Sequence, residues 1–240
     1  MNRKIIFAAL GMSSLLGSVA VLAQGQAPQQ PMSFFVAANP SGTGNLGGLE
    51  GADRICQTAA AAAGRGNSTW HAYLSQEQRG TTPRVNARGR IGDGPWYNAK
   101  GQLIASNVAD LHGDQQRDRN NIQRSSALDD KGKEVPGGGT QGVQNEHDVM
   151  TGSDPQGRAF TDGLDHTCNN WTTDAMQLPV PENQQKQNVP AERARAMLGH
   201  MDRSGGGNIS WNSAHMSQGC SKQSLNNTGG AGRIYCFAIN

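Results

Sequence analysis

The chain is short of the residues that build ordinary hydrophobic cores. Leu, Ile, Val and Phe together number 38 of 240 residues, about 16%. Charge of either sign is also modest, with 21 Lys and Arg against 19 Asp and Glu. A chain this poor in aliphatic residues is typical of disorder only when its net charge is high. The composition therefore excludes a charged disordered tail, a coiled coil and a typical cytosolic enzyme domain.

Signatures of the common enzyme families are missing as well. The sequence contains no Gly-x-Ser-x-Gly elbow, no HExxH pair and no phosphate-binding loop. We therefore expect no enzymatic activity. No internal repeat and no Gly-X-Y period is present either, which excludes a collagen-like chain.

The first 23 residues have the organisation of a secretory signal peptide. A basic start at residues 3–4 precedes an apolar stretch over 5–22, and the small residues up to Ala23 suit signal peptidase. We expect a secreted or periplasmic protein, cleaved near Ala23, with no stable membrane span. A flexible lead over 24–33 and one domain over 34–240 would remain. Without residues 1–23, 19 basic residues face 19 acidic ones, so no nucleic-acid partner is expected.

The four cysteines form an even set in a chain that we expect to be exported. They are Cys56, Cys168, Cys220 and Cys236. Two disulfides are the default, and three connectivities are open. No CxxC or Cys/His ligand spacing indicates a structural zinc site of the cysteine type. Two disulfides would compensate for a thin core, because a cross-link lowers the entropy of the unfolded chain.

The hydrophobic pattern predicts few regular elements. Residues 34–37 and 70–75 predict strands, and residues 49–63 predict a helix with Cys56 on its apolar stripe. A hairpin is predicted between 95–97 and 102–104, because the turn 98–101 begins with Asn and ends with Gly. A closing strand over 233–239 contains Cys236. The polar stretches 112–149 and 177–191 predict loops.

Three stretches of the chain carry a resemblance to a known family. They are GADRICQTAAAAAGRGNSTWHAYLS (51–75), GSDPQGR (152–158) followed by Cys168 and Trp171, and the C-terminal pair Cys220 and Cys236. Their Gly-Ala-Asp opening, helix cysteine and aromatic-Ala-Leu-Ser strand resemble endostatin, the C-terminal domain of collagens XV and XVIII. The resemblance implies an α+β, C-type-lectin-like fold with a small mixed or antiparallel sheet, one main helix and long loops. It also implies nested disulfides, Cys56–Cys236 and Cys168–Cys220.

The middle of the chain departs from animal endostatin. The stretches RIGDGPWYNAKG (90–101), VADLH (108–112), SWNSAH (210–215) and GCS (219–221) are more similar to bacterial secreted endostatin-like proteins, often described as lectins. That resemblance implies a carbohydrate-binding module whose partner is a glycan or an extracellular polymer. The alternatives are a protein-interaction or structural envelope module without a sugar site and, less favoured, a metal-dependent hydrolase.

Aromatic and polar side chains in these stretches are the candidates for binding sugar. Aromatic faces suit the apolar side of a pyranose, and flanking polar groups can fix its hydroxyls. The stretch 211–213 resembles the Trp-Asn-Asp calcium motif of sugar-binding C-type lectins, with Ser in place of Asp. A packed Trp beside an Asn that holds a turn is the alternative. The candidates are Trp96, Tyr97, Asn98, Trp211, Asn212 and His215.

A second set of candidates combines histidines with carboxylates. His147 is followed by Asp148, and His200 lies close to Asp202 in the sequence. Such side chains are the nitrogen and oxygen ligands of zinc, while calcium requires more oxygen ligands. The zinc site near the N-terminus of endostatin is not carried over, because no histidine precedes His71. Solvated loop histidines are the alternative, and the sequence requires no cofactor.

The disulfide pairing implied by the resemblance gives the first test. Non-reducing peptide mapping of the exported protein is expected to show Cys56–Cys236 and Cys168–Cys220. Any other pairing would refute the fold assignment, since the nested order is a property of the family that the chain resembles.

Overall fold

The computed structural model describes residues 30–113, 119–139, 141–176 and 194–239. The expected signal peptide over 1–23, residues 24–29 of the expected lead and the loop predicted over 177–191 lie outside the described residues. Among the helices that are described, none is long and apolar enough to cross a membrane.

The main helix follows the first strand and packs on the sheet. Strand β1, Phe34–Ala37, is fully buried, and helix α1 runs over Gly48–Ala62. The helix buries a stripe of small residues that includes Ala52, Cys56 and Ala60. Gly51 has no substitute, because a Cβ atom there would lie 1.9 Å from the carbonyl oxygen of Leu46. The predicted strand over 34–37 and the predicted helix over 49–63 are confirmed, the helix to within one residue at each end.

A mixed sheet of six strands organises the domain. Besides β1 it contains β2 (Trp70–Ala72), β5 (Asp148–Met150), β6 (Met197–His200), β7 (His215–Met216) and β8 (Gly230–Ala238). The strand order is β1-β8-β5-β6-β7, and β2 also pairs with β8. Strands β5 and β8 are parallel, and the other pairs in this sheet are antiparallel. The α+β class with one main helix is therefore observed.

A separate hairpin and four short helical segments make up the rest of the described regular structure. The hairpin pairs β3 (Trp96–Tyr97) with β4 (Leu103–Ala105), as the turn chemistry predicts. Single-turn helices occupy α2 (Val108–His112) and α4 (Lys222–Asn226), and residues Ala87–Gly89 form a short 3-10 turn.

Segment α3, Cys168–Trp171, is unusual. All four of its residues have positive φ, between 48° and 66°, a region that non-glycine residues rarely adopt. The carboxylate of Asp165 accepts the backbone N–H groups of Thr167 and Asn169 at 2.9 and 2.8 Å. These bonds hold the turn in its strained conformation.

Both faces of the sheet are buried, and each contacts its own core. Along β8, Ile234 and Cys236 point to the face covered by α1, while Tyr235 and Phe237 point to the opposite face. Strand β1 alternates in the same way, because successive side chains of a strand point to opposite sides. The closing strand β8 is thus buried on both faces along most of its length.

Aromatic side chains fill the space that aliphatic residues leave. All four tryptophans are at most 1% exposed: Trp70 and Trp171 lie in the core beneath α1, and Trp96 and Trp211 lie in the opposite core. In the second core the rings of Trp96 and Phe237 meet edge-on at 5.2 Å between centroids. This burial explains how a chain with few aliphatic residues builds two cores.

The disulfides join the helix and the turn α3 to the rest of the domain. Cys56 of α1 is bonded to Cys236 of β8, and Cys168 of α3 is bonded to Cys220. Both pairs agree with the pairing that the resemblance implies, and the α+β class agrees with it as well. Three strands were not predicted, because β5, β6 and β7 contain four residues or fewer and carry no clear period. The strand predicted over 70–75 is also shorter, ending at Ala72.

Loop length predicts which disulfide stabilises the fold more. Cys56–Cys236 spans 180 residues of sequence and Cys168–Cys220 spans 52. Chain entropy gives about 5 and about 4 kcal/mol respectively. We expect the double variant Cys56→Ala/Cys236→Ala to lose more unfolding free energy than Cys168→Ala/Cys220→Ala in urea titrations. The reverse order would show that the strained turn at α3 depends on its own disulfide more than chain entropy predicts.

Candidate metal centre

The ends of three neighbouring strands bring four ionisable side chains together. Asp148 is the first residue of β5, and its Cα partner on β6 is His200. His215 is the first residue of β7, and His147 immediately precedes β5. The backbone N–H of Met201 donates to the carbonyl oxygen of His147 at 3.0 Å, which continues the β5–β6 pairing by one residue.

Three imidazole nitrogens converge on one oxygen of Asp148. The Nε2 atoms of His147, His200 and His215 lie 3.2, 3.3 and 3.5 Å from its Oδ1 atom. The rings of His147 and His200 stack at 4.5 Å between centroids, with 13° between their planes. The ligand atoms of His147, Asp148 and His200 all lie within 4.8 Å of one another.

The carboxylate of Asp148 is buried without a regular hydrogen bond. Its side chain is fully buried, and within the described part of the chain neither oxygen has a hydrogen-bond partner; the same holds for both ring nitrogens of His200. The imidazole nitrogens are near enough for electrostatic contact, yet none is aligned to donate. Buried polar groups of native proteins nearly always have partners. The cluster therefore has the donor atoms of a cation site.

The distances from Asp148 Oδ1 to the imidazole nitrogens are compatible with a tetrahedral zinc ion. With zinc–ligand bonds of about 2.0–2.1 Å, neighbouring ligand atoms of a tetrahedron lie about 3.3–3.4 Å apart. The distances from Asp148 Oδ1 to the three nitrogens, 3.2–3.5 Å, bracket that value. Two imidazoles and a carboxylate are a common ligand set for zinc.

Partners behind the histidines fix which nitrogen faces Asp148. The Nδ1 atom of His147 lies 3.0 Å from Oδ1 of Asp202, and that of His215 lies 3.1 Å from the carbonyl oxygen of Met216. Since both partners are acceptors, each Nδ1 is placed to donate, which leaves Nε2 as the atom available to a metal ion when the ring is neutral. A carboxylate or carbonyl behind a ligating histidine is the usual arrangement at metal sites.

Charge interactions among these groups are strong. Burial alone would raise the pKa of Asp148, but the imidazoles of His200, His215 and His147 outweigh it and hold that pKa below its ordinary value. The contact with Asp148 raises the pKa of His215, against the opposing effect of its burial. Burial alone would also raise the pKa of Asp202, but hydrogen bonds from His147 and Ser204 outweigh it and lower the pKa of that carboxyl. The site thus favours a carboxylate with positive charge beside it.

Glycines line the cluster where side chains would crowd it. Gly229 has a φ of +101°, and a Cβ atom there would lie 3.1 Å from Nε2 of His147. At Gly205 a Cβ atom would lie 3.4 Å from Cε1 of His147 and 3.9 Å from Cε1 of His200. At these two positions the positive φ favours glycine, and no Cβ atom contacts the imidazoles.

The metal candidates from the sequence are only partly grouped as expected. The structure brings His147, Asp148 and His200 together. Asp202 lies behind His147 and contacts its outer nitrogen, so it supports a ligand rather than pointing inward. His215 joins the cluster, although the sequence indicated it only as a sugar contact. No local spacing could have revealed this, because His215 meets Asp148 across 67 positions of sequence through strand pairing.

The aromatic sugar platforms expected from the sequence are not present at the surface. Trp96 is 1% exposed and its Nε1 atom donates to the carbonyl oxygen of Ala238 at 3.2 Å. Trp211 is fully buried against Tyr73 and Tyr235. Both rings fill the core, so neither offers a face to a pyranose. Of the two aromatic residues on the hairpin, only Tyr97 is partly exposed.

The polar sugar candidates are occupied by structural bonds. Asn98 is buried, and its side chain accepts the N–H groups of Lys100 and Gln102 inside the hairpin turn. Asn212 is 1% exposed and donates to the hydroxyl of Tyr73 at 3.0 Å and to the carbonyl oxygen of Asp154 at 3.1 Å. The alternative of a packed Trp beside an Asn that holds a turn is the one observed for 211–212.

A second buried histidine cluster has a structural explanation. Nδ1 of His166 lies 3.0 Å from Oε1 of Glu77, and its ring stacks on Phe160 at 3.9 Å. Glu77 also accepts the backbone N–H of His166 and an N–H of Arg79, both at 2.9 Å. Because these groups are paired and adjoin the turn α3, the cluster is explained by its support of that turn.

Comparison with known proteins does not assign the site. No family model matches the sequence, and no curated protein matches it significantly.

In metal-free protein, we expect the Asp148–His215 contact to stabilise the fold at mildly acidic pH. Because the pKa of His215 is raised in the folded state, its contribution is complete below the unfolded value of about 6.5 and is lost as pH rises through the folded value. The lowered pKa of Asp148 adds stability above about 3.9 that is lost as pH falls through its folded value.

Urea unfolding of wild type and His215→Gln in chelator, over a pH series, measures this contribution. The stability gap between the two proteins should narrow as pH rises from mildly acidic to alkaline. A gap that stays constant with pH would contradict the assignment of the charge interaction to His215.

Proposed function

We propose that the protein is an exported domain that binds one divalent transition-metal ion, with zinc the best match, through His147, Asp148 and His200. The observation that supports this most strongly is the convergence of imidazole nitrogens on a buried carboxylate that has no hydrogen-bond partner of its own among the described residues. When the rings are neutral and no cation is bound, inward lone pairs would face a negative charge. A divalent ion between them turns that repulsion into coordination.

The kind of donor atom favours zinc over calcium or magnesium. Calcium takes six to eight oxygen ligands, and magnesium prefers carboxylates and water. Imidazole nitrogen suits zinc, copper and nickel instead. All four cysteines are bonded in disulfides, so the described structure offers no thiolate to compete for the ion. The two disulfides also fit an oxidising compartment outside the cytoplasm, where metal ions are taken from the surroundings.

A metal ion at this place would also stabilise the fold. Its ligands come from β5, from the residue before it and from β6, and His215 on β7 lies beside them. An ion that binds the folded chain and not the unfolded chain adds stability that grows with its concentration, about 2.7 kcal/mol at a hundred times the dissociation constant. The edge of the sheet would gain most, since β7 pairs with β6 over two residues.

Carbohydrate binding stays a prediction that rests on the resemblance in the sequence. Burial of Trp96 and Trp211 removes two of the contacts from which it was argued. The partly exposed Tyr97 and His215 are the remaining candidates at the surface. A glycan array read with and without chelator would test it apart from metal binding.

Metal content gives the direct test of the proposed site. We expect the oxidised protein to bind one equivalent of zinc after dialysis, measured by elemental analysis, and to bind it in calorimetry. The variant His147→Ala/His200→Ala should lose that equivalent, because it removes two of three ligands. Asp202→Asn should retain zinc with about 10- to 100-fold weaker affinity, since it alters only the partner of a ligating histidine.

His71→Ala is the matched control. His71 is a partly buried histidine whose Nδ1 contacts the carbonyl oxygen of Arg90, away from the cluster. This variant should bind zinc as wild type does. Substoichiometric zinc in the correctly disulfide-bonded wild type, or equal loss in the control, would refute the site.

A further inference from the structure

The four inward-facing side chains of the metal centre are not equivalent. The side chains of His147, Asp148 and His200 are at most 8% exposed, and their ligand atoms form a mutually close set. The side chain of His215 is 39% exposed. It approaches Asp148 Oδ1 to 3.5 Å, and its ring meets the His200 ring at 66° and 4.9 Å rather than stacking with it. His215 therefore stands at the outer side of a buried three-ligand set.

A glycine-rich segment adjoins the two buried imidazoles. Gly205 adjoins the Cε1 edges of His147 and His200, and the next two residues, Gly206 and Gly207, have open space where a Cβ atom would be. On the other side Gly229 adjoins Nε2 of His147. We refer to Gly205–Gly207 as the glycine rim. Because Gly205 has no side chain, no Cβ atom lies against the Cε1 edges of these two imidazoles.

Three buried ligands with one free corner are the arrangement of metal sites that bind external ligands. Closed structural zinc sites use four protein ligands, whereas catalytic ones use three and keep water or substrate at the fourth position. Two histidines and one carboxylate are such a set of three. Counting the ligands alone, a divalent ion with one carboxylate and two neutral imidazoles keeps one net positive charge, and the Asp202 carboxylate lies one imidazole away, behind His147. The remaining position is therefore open to water and to a monodentate anion that binds the ion directly.

We propose that the bound metal keeps one exchangeable coordination position, facing His215 and the glycine rim, which holds water and accepts small anionic donors such as a carboxylate. This inference rests on the proposed metal-binding function. His215 then lies beside the exchangeable ligand and is not a permanent member of the coordination shell. The ligand class is that of carboxylates and comparable monodentate anions, whether free or carried on a larger molecule.

The competing arrangement is a closed site. A movement of His215 toward the ion would complete a tetrahedron of four protein ligands and leave no corner for an anion. The two arrangements differ in one measurable way. An open site responds to anions in the wild type, and a closed site responds only after His215 is removed.

Cobalt substitution separates these cases, because the visible spectrum of Co²⁺ reports its coordination. The full-length, exported and oxidised protein is loaded with one equivalent of Co²⁺ and titrated with azide and, separately, with acetate. The same titrations are made on His215→Ala and on the control His71→Ala. Elemental analysis records the cobalt content of each sample before anion is added.

The proposal predicts a saturable spectral shift with azide and with acetate in wild type and in His71→Ala. It also predicts that His215→Ala keeps one equivalent of cobalt and still shifts. If neither anion changes the wild-type spectrum and a shift appears only in His215→Ala, the position is closed by His215. That result would overturn the exchangeable position and leave the proposed metal site intact. Absence of stoichiometric cobalt from wild type would overturn both.

Discussion

Strand β8 is the element on which the rest of the domain depends, because it is buried on both faces and contacts both cores. It pairs with β1, β2 and β5, and Cys236 within it is bonded to Cys56 of the main helix. Its side chains alternate between two cores that contain all four tryptophans. A sheet that is buried on both sides needs large apolar side chains at alternate positions, and here aromatic rings provide them. The scarcity of aliphatic residues is thus compatible with a packed interior.

The proposed metal centre lies where this sheet buries a carboxylate. Asp148 begins the strand that runs parallel to β8, and its carboxylate is fully buried. An isolated buried carboxylate is costly, so it must be paired or must coordinate a cation. Three imidazoles surround it, two of them with their outer nitrogens held by Asp202 and by a backbone carbonyl. The same arrangement that makes the charge tolerable also gives the geometry of a metal site.

The two sets of candidate residues from the sequence, for sugar and for metal, differ in what burial means for them. A sugar platform needs an exposed ring, and a chain with so few aliphatic residues places its rings inside. A metal site needs convergence, and histidines buried beside a carboxylate provide it. The buried positions of Trp96, Trp211 and Asn212 weaken the first hypothesis, and the burial of His147, Asp148 and His200 strengthens the second.

Local sequence patterns were enough to predict several elements of the fold. The period of α1, the apolar runs of β1 and β8 and the Asn-to-Gly turn of the hairpin could be predicted, because each pattern lies within a few neighbouring residues. Residue types also indicated His147, Asp148, His200 and Asp202 as candidate metal ligands. The folded chain shows that His200 and His215 reach Asp148, whereas Asp202 contacts the outer nitrogen of His147. Those contacts depend on the pairing of β5, β6 and β7, which are too short to show a period and are joined by segments whose path no local pattern specifies.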